Sequence, residues 1–141
     1  MDYFLDTDHL SLYQRSHNQI CDRILKIRQQ PNTKLKTTII TLEEQYAGRL
    51  AQIHKASTPE TLISAYGRLK LTFELFSDLE IVDYDHKADE YFRRFRQMGI
   101  RIGTQDLRIA SITLASDGIL LTRNRRDFEK IPDLIIQDWS I

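Results

Sequence analysis

A chain of 141 residues with 20 basic and 20 acidic side chains carries no net charge, so it lacks the global positive field of proteins that coat nucleic acid regardless of sequence. Any attraction for a polyanion has to be local. A single cysteine, Cys21, excludes an internal disulfide, and no run approaches the roughly 20 apolar residues of a membrane span. The opening Met-Asp-Tyr-Phe-Leu-Asp has neither the basic nor the apolar region of a secretory leader, so the expectation is a cytoplasmic protein with one domain over residues 1–141 and no membrane partner.

In chain order, Tyr3 to Leu5 reads as a short first strand. Ile20, Ile24, Leu25 and Ile27 give a stripe of helical period, predicting a helix over Asn18 to Gln29. After the Pro31-Asn32 turn signal, the β-branched run Leu35 to Thr41 predicts a second strand. Ser57-Thr58-Pro59-Glu60 combines a capping box with an early proline, and opens a helix whose Leu62, Tyr66, Leu69, Phe73 and Phe76 form one apolar face. Leu79 to Val82 is a third strand candidate. Asp85 to Met98, carrying Tyr91, Phe92 and Phe95 and ending before Gly99, and Thr104 to Ser116, ending at Gly118, predict two more helices. Ile119 to Thr122 and Leu134 to Ile136 complete five strand candidates. No hairpin dipeptide joins any two of them, and helical lengths separate them, which argues for a parallel sheet wound by right-handed crossovers.

Four acids fall at the strand-to-helix junctions: Asp6, Glu44, Asp106 and Asp127. In a parallel α/β sheet these positions meet above the carboxyl ends of the strands, where open α/β folds bind ligands. Carboxylates gathered there repel one another and call for a hard, oxygen-seeking cation such as Mg²⁺ or Mn²⁺. Each also has an ordinary explanation. Asp6 or Asp8 serves as an N-cap for a helix beginning near His9, and Glu44 completes a capping box with Thr41. Asp106 favours a helix dipole behind a Thr104 cap, and Asp127 caps a turn at Phe128 to Lys130. None of these predicts the coincidence at successive junctions, with no lysine set among them.

The five glycines make no phosphate-binding motif, Ser11, Ser64 and Ser111 lack a nucleophile-elbow context, and the four histidines read as surface or packing residues. Arg93, Arg94, Arg96 and Arg101 precede Asp106, while Arg123, Arg125 and Arg126 surround Asn124. Both runs are candidates for holding a polyanion beside the carboxylates.

The strings Ile102-Gly103-Thr104-Gln105-Asp106-Leu107-Arg108-Ile109-Ala110 and Leu121-Thr122-Arg123-Asn124-Arg125-Arg126-Asp127-Phe128 resemble the C-terminal signature of PIN-domain ribonucleases, in particular the VapC-type toxins of toxin–antitoxin pairs. Leu5-Asp6-Thr7-Asp8 is similar to their opening motif, and Thr41-Leu42-Glu43-Glu44-Gln45-Tyr46-Ala47-Gly48 to the segment that carries their second acid, whose distance from the glycine selects Glu44 over Glu43. Two positions depart from the family pattern: Asp8, where Asn or Ser is common, and Tyr46-Ala47, where tyrosine is usually next to the glycine.

The resemblance implies a three-layer α/β/α sandwich around a central parallel sheet of about five strands, and Mg²⁺- or Mn²⁺-dependent endoribonuclease activity on RNA. It also implies a homodimer and a cognate antitoxin. Asp6, Glu44, Asp106 and Asp127 would hold the metal, Thr122 and Asn124 would position water, phosphate or a ligand, and Asp8 would act from behind the ligands. Two alternatives remain at this level. Asp6-x-Asp8 after the first strand is also the nucleophile motif of haloacid-dehalogenase-like phosphatases, although Leu10 stands where that family has Thr or Val. A PIN-like fold that only binds RNA or protein is the other.

Overall fold

The structure, a computed structural model, describes residues 1–141. Five strands and seven helices follow in the order β1 (Asp2–Leu5), α1 (Thr7–Gln14), α2 (Asn18–Arg28), β2 (Lys34–Thr38), α3 (Ile39–Lys55), α4 (Pro59–Ser77), β3 (Glu80–Val82), α5 (His86–Gln97), α6 (Thr104–Ala115), β4 (Ile119–Leu121), α7 (Arg125–Phe128) and β5 (Ile135–Gln137). The sheet runs β3-β2-β1-β4-β5, and every neighbouring pair is parallel. The chain winds outward from β1 through β2 to β3, then returns to the other side of β1 to lay down β4 and β5. The strand order therefore reverses between β1 and β4, and a crevice opens beyond their carboxyl ends.

Pleating sorts the inner strands. Phe4 and Leu120 turn to one face, where they join Ile102, Leu107, Ile109, Ile112 and Phe128 under α5, α6 and α7. Leu5, Ile119 and Leu121 turn to the other, where Leu10, Ile20, Ile24, Phe76 and Trp139 cover them from α1, α2, α4 and the C-terminal segment. Both faces of β1 and β4 are buried, which is why these strands are short continuous apolar runs rather than alternating ones. The architecture is the expected α/β/α sandwich with five parallel strands.

Three local expectations are corrected. The run Leu35 to Thr41 does not stay extended: β2 ends at Thr38, whose hydroxyl accepts the Thr41 N–H at 3.1 Å and caps α3, so Ile39, Ile40 and Thr41 are helical. Thr41 is therefore not the cap, and Glu44 does not close a box on it. In α4 the capping box pairs Thr58 with Thr61 rather than Ser57 with Glu60, with Pro59 at the first helical position. The apolar face expected of α4 is mostly not in the core. Phe76 is buried, but Leu62, Tyr66 and Phe73 are exposed together with Ile63 and Leu71.

Gly118 is set by packing, not by capping. The left-handed residue after α6 is Asp117 (φ 53°), and a Cβ on Gly118 would run into the Phe4 ring.

Candidate functional site

Asp6 leaves β1 at the switch point. Its backbone N–H donates to Leu121 O at 3.1 Å, extending the β1–β4 ladder by one residue, and its Oδ1 accepts the His9 N–H at 2.7 Å as the N-cap of α1. Capping thus uses Oδ1 and leaves Oδ2 available. Glu44 lies in the second turn of α3, and its Oε1 accepts a 2.6 Å hydrogen bond from Thr7 Oγ1, which ties α3 to the residue after Asp6. Asp106 stands in the first turn of α6 behind a Gly103 cap, so Thr104 is not the cap. Asp127 is inside α7. The cap there is Asn124, whose Oδ1 accepts the Asp127 N–H at 3.3 Å while its Nδ2 donates to Asp127 Oδ2 at 3.1 Å.

These four carboxylates share one electrostatic environment. Burial, and then the negative charges of Glu44, Asp6 and Asp127, push the Asp106 carboxyl up to about 6. Compensation is thin: the one lysine or arginine within 4 Å of any of the four is Lys130, its Nζ 3.7 Å from Asp127 Oδ1. An all-oxygen, negatively charged and partly desolvated cluster fits a hard divalent cation and suits neither a soft metal nor a bare anion.

Asp6, Asp8 and His9 each bring one ligand atom within 4.8 Å of the others, a second grouping compatible with a metal ion that shares Asp6 with the first. Hydrogen bonding assigns its members different parts. His9 is fully buried, and its Nε2 accepts the Trp139 backbone N–H at 3.1 Å, so Nε2 carries the lone pair and Nδ1 the hydrogen. That Nδ1 has no hydrogen-bond partner and faces Asp6 Oδ1 at 3.6 Å. Asp8 is held by Arg123 through two parallel bonds, Nε to Oδ2 at 2.6 Å and Nη2 to Oδ1 at 2.7 Å. Asp6 is the member whose oxygen remains free.

The other sequence candidates fall as follows. Thr122 is buried, its Oγ1 accepting the Asn124 N–H at 2.9 Å, so it fixes the loop that carries Asn124. Arg93 pairs with Asp89 at 2.9 Å, Arg94 lies over Tyr91, and Arg96 lies over Phe92 while donating to Thr104 Oγ1 at 2.9 Å. Arg125 is 3.6 Å from Glu129. Most of the two arginine runs is thus engaged with neighbouring side chains, whereas the exposed guanidiniums of Arg101 and Arg126 form no ion pair. Tyr46, at one of the departures from the family pattern, stacks on Phe76 with centroids 6.0 Å apart.

No family model matches the chain. It is, however, 32% identical over 99% of its own length and 99% of the relative's to Ribonuclease VapC2 of Rickettsia felis. The chain belongs to the VapC ribonuclease family. Among solved structures it resembles VapBC2 of Rickettsia felis bound to a DNA fragment from their promoter, with a TM-score of 0.76, 26% identity and 99% of both chains covered. It also shares the fold of VapBC-1 from nontypeable Haemophilus influenzae, with a TM-score of 0.80, 23% identity and full coverage of both chains. Membership in the VapC family sets aside the phosphatase reading, whose second aspartate would in any case be Asp8, here bound to Arg123.

Sequence reasoning missed Thr7 and His9. Thr7 carries no signal beyond lying between two aspartates. A lone histidine followed by leucine reads as packing, and its second role depends on Trp139, 130 positions away.

Proposed function

We propose that this protein is a Mg²⁺- or Mn²⁺-dependent endoribonuclease, the toxin of a toxin–antitoxin pair, with residues 1–141 working as one PIN domain. The observation that carries the metal-dependent reading is the gathering of Asp106 with Glu44, Asp6 and Asp127 beside the β1–β4 switch point, where burial first and then their negative charges raise the Asp106 carboxyl. Membership in a family named for ribonuclease activity supplies the reaction class, a hydrolase acting on RNA.

Asp6 Oδ2, Glu44, Asp106 and Asp127 would hold the ion. When bound, it supplies charge to polarise a phosphoryl oxygen and to activate the attacking water. The protein's own contribution is orientation. The His9 backbone N–H fixes Oδ1 of Asp6, Thr7 fixes one oxygen of Glu44, and Asn124 fixes one oxygen of Asp127. In-line attack with the 3′-oxygen leaving gives a 5′-phosphate and a 3′-hydroxyl. Thr122 supports this geometry through Asn124, and Asp8 through its grip on Arg123.

An antitoxin is the proposed regulator, by the likeness to VapBC complexes. A basic side chain from such a partner would pair with the carboxylates where the cation sits. The exposed apolar residues of α4, Leu62, Ile63, Tyr66, Leu71 and Phe73, offer surface for a partner to cover. A homodimer belongs to the same proposal, and light scattering on the purified chain tests it. No helix is long and apolar enough to cross a membrane, and the site is proposed to work in the cytoplasm.

Expression of the wild type against Asp6→Asn in the native host tests the toxin reading. Growth arrest with the wild type alone is the expected result, and equal toxicity of both overturns it.

A further inference from the structure

Beside the carboxylate site, α1, α3 and α4 enclose an open cleft of about 710 Å³. Glu44 lines one part of it, and three arginines, Arg15, Arg49 and Arg68, are among its other lining residues. On α3 the positions Glu44, Gly48 and Gln52 recur every fourth residue, as do Gln45 and Arg49, so a single helix face passes from the carboxylate site into the cleft. Arg49 lies five residues beyond Glu44, about 7.5 Å along the helix axis. Gly48, between them, puts no side chain in the way.

The arginines are poised without an anion. Arg49 is held by neutral acceptors only: Nε donates to Thr72 Oγ1 at 2.9 Å, Nη1 to Gln52 Oε1 at 3.2 Å and Nη2 to Gln14 Oε1 at 3.1 Å. None of the three forms an ion pair, in contrast to Arg93, Arg123 and Arg125. Burial first, and then the positive charges of Arg68 and Arg15, lower the affinity of the Arg49 guanidinium for its proton, the mark of like charges gathered without relief. Three unrelieved guanidiniums in a groove that leads into a cluster of carboxylates are matched to a polyanion lying with one charged group at the cation and the next ones in the groove.

We propose that the Arg15–Arg49–Arg68 cleft is a phosphate-binding subsite that holds the RNA strand next to the scissile bond. This rests on the ribonuclease reading above and deepens it. It also moves the expected RNA path from the Arg93–Arg101 and Arg123–Arg126 runs, none of which line the cleft, to the groove between α1, α3 and α4. The guanidiniums contact backbone phosphates and no base edges, so the subsite fixes register without selecting sequence.

The test is fluorescence anisotropy of a labelled single-stranded RNA on full-length Asp106→Asn protein, titrated at several salt concentrations. Arg15→Gln and Arg68→Gln are the informative variants, because both side chains are exposed and outside the core. Arg28→Gln, on α2 and outside the cleft, is the control.

The double variant Arg15→Gln/Arg68→Gln is expected to bind RNA about a hundredfold more weakly, about tenfold for each charge-assisted hydrogen bond lost. The salt slope should shrink by about 0.7 for each phosphate contact removed. Metal affinity in the otherwise wild-type protein should not change. RNA affinity and slope equal to the parent overturn the proposal. So does unchanged RNA binding together with lost affinity for an antitoxin, which assigns the cleft to protein instead. Absence of any RNA cleavage by the wild type would strike the ribonuclease reading and not the cleft. Wild-type cleavage with unaltered binding by the variants would strike the cleft alone.

Discussion

His9 Nε2 accepts the backbone N–H of Trp139 at 3.1 Å, and that one bond turns the other ring nitrogen into a donor facing Asp6 Oδ1. The C-terminal segment thereby sets the hydrogen-bond character of the side chain next to a proposed metal ligand. Two substitutions separate the two halves of this relationship. His9→Gln keeps an acceptor for Trp139 and removes the Nδ1–H that faces Asp6 Oδ1 at 3.6 Å, outside hydrogen-bond range, and is expected to weaken Mn²⁺ binding by no more than about tenfold. His9→Asn keeps a donor near Asp6 and strands the Trp139 N–H, which costs about 1–3 kcal/mol of stability while leaving metal affinity close to wild type. Calorimetric titration with Mn²⁺ and thermal denaturation read the two effects, and identical behaviour of the variants would remove His9 from the site.

Asp6→Asn and Asp106→Asn should each abolish RNA cleavage, by more than the roughly 10–100-fold of a change behind the ligands. Neither should unfold the protein. Asn is as good an N-cap as Asp, so α1 keeps its bond from the His9 N–H, and Asp106 makes no capping bond to lose. Turnover assays with circular dichroism check this, and a variant with wild-type turnover would exclude that carboxylate from the site.

The Asp106 carboxyl, raised from 3.8 to about 6, links stability to pH in a defined direction. The folded state binds more protons than the unfolded one between these values, so metal-free protein loses stability as pH rises through the window and does not regain it above. Asp106→Asn removes that loss. Its melting temperature without divalent ions should exceed wild type above about pH 6, and the difference should vanish below about pH 4. Metal binding should weaken as pH falls through the same window, since the proton competes for the carboxylate. Thermal scans in a chelator across this range decide the matter, and a gain independent of pH would mean that repulsion is not its source.

Gly118→Ala should destabilise the fold by about 1–3 kcal/mol, because the added methyl meets the Phe4 ring on the central strand. For a domain near this size each kcal/mol lowers the melting temperature by about 2–4 °C. An unchanged midpoint would show that Phe4 yields freely.

Much of this was legible in the sequence because it is written in local pattern. Five apolar runs without hairpin turns gave a parallel sheet, and the placement of Asp6 and Asp106 beside the switch point follows from that topology alone. What could not be read was whatever depends on the choice between equivalent neighbours. In Thr37-Thr38-Ile39-Ile40-Thr41 any of three threonines can cap, and the choice is tertiary: Thr37 Oγ1 donates to Leu5 O across the sheet, and the ladder with β3 reaches its last pair at Thr38 and Val82. Glu44 is singled out in the sequence by its distance from Gly48, a reason unrelated to its hydrogen-bond partner, Thr7. The α4 stripe has helical period, yet much of it faces outward, because periodicity identifies an apolar face and not what covers it. The cleft arginines come from the end of α1 (Arg15), from α3 (Arg49) and from α4 (Arg68), and make no cluster in sequence.

The most direct test of the central claim is cleavage of a labelled RNA by the purified chain in a chelator, in Mg²⁺ and in Mn²⁺, with wild type and Asp106→Asn compared and product ends determined. Four carboxylates around one cation predict cleavage only with added metal, products bearing a 5′-phosphate, and no cleavage by the variant in any condition. Cleavage that persists in the chelator, or that Asp106→Asn retains, would contradict the account.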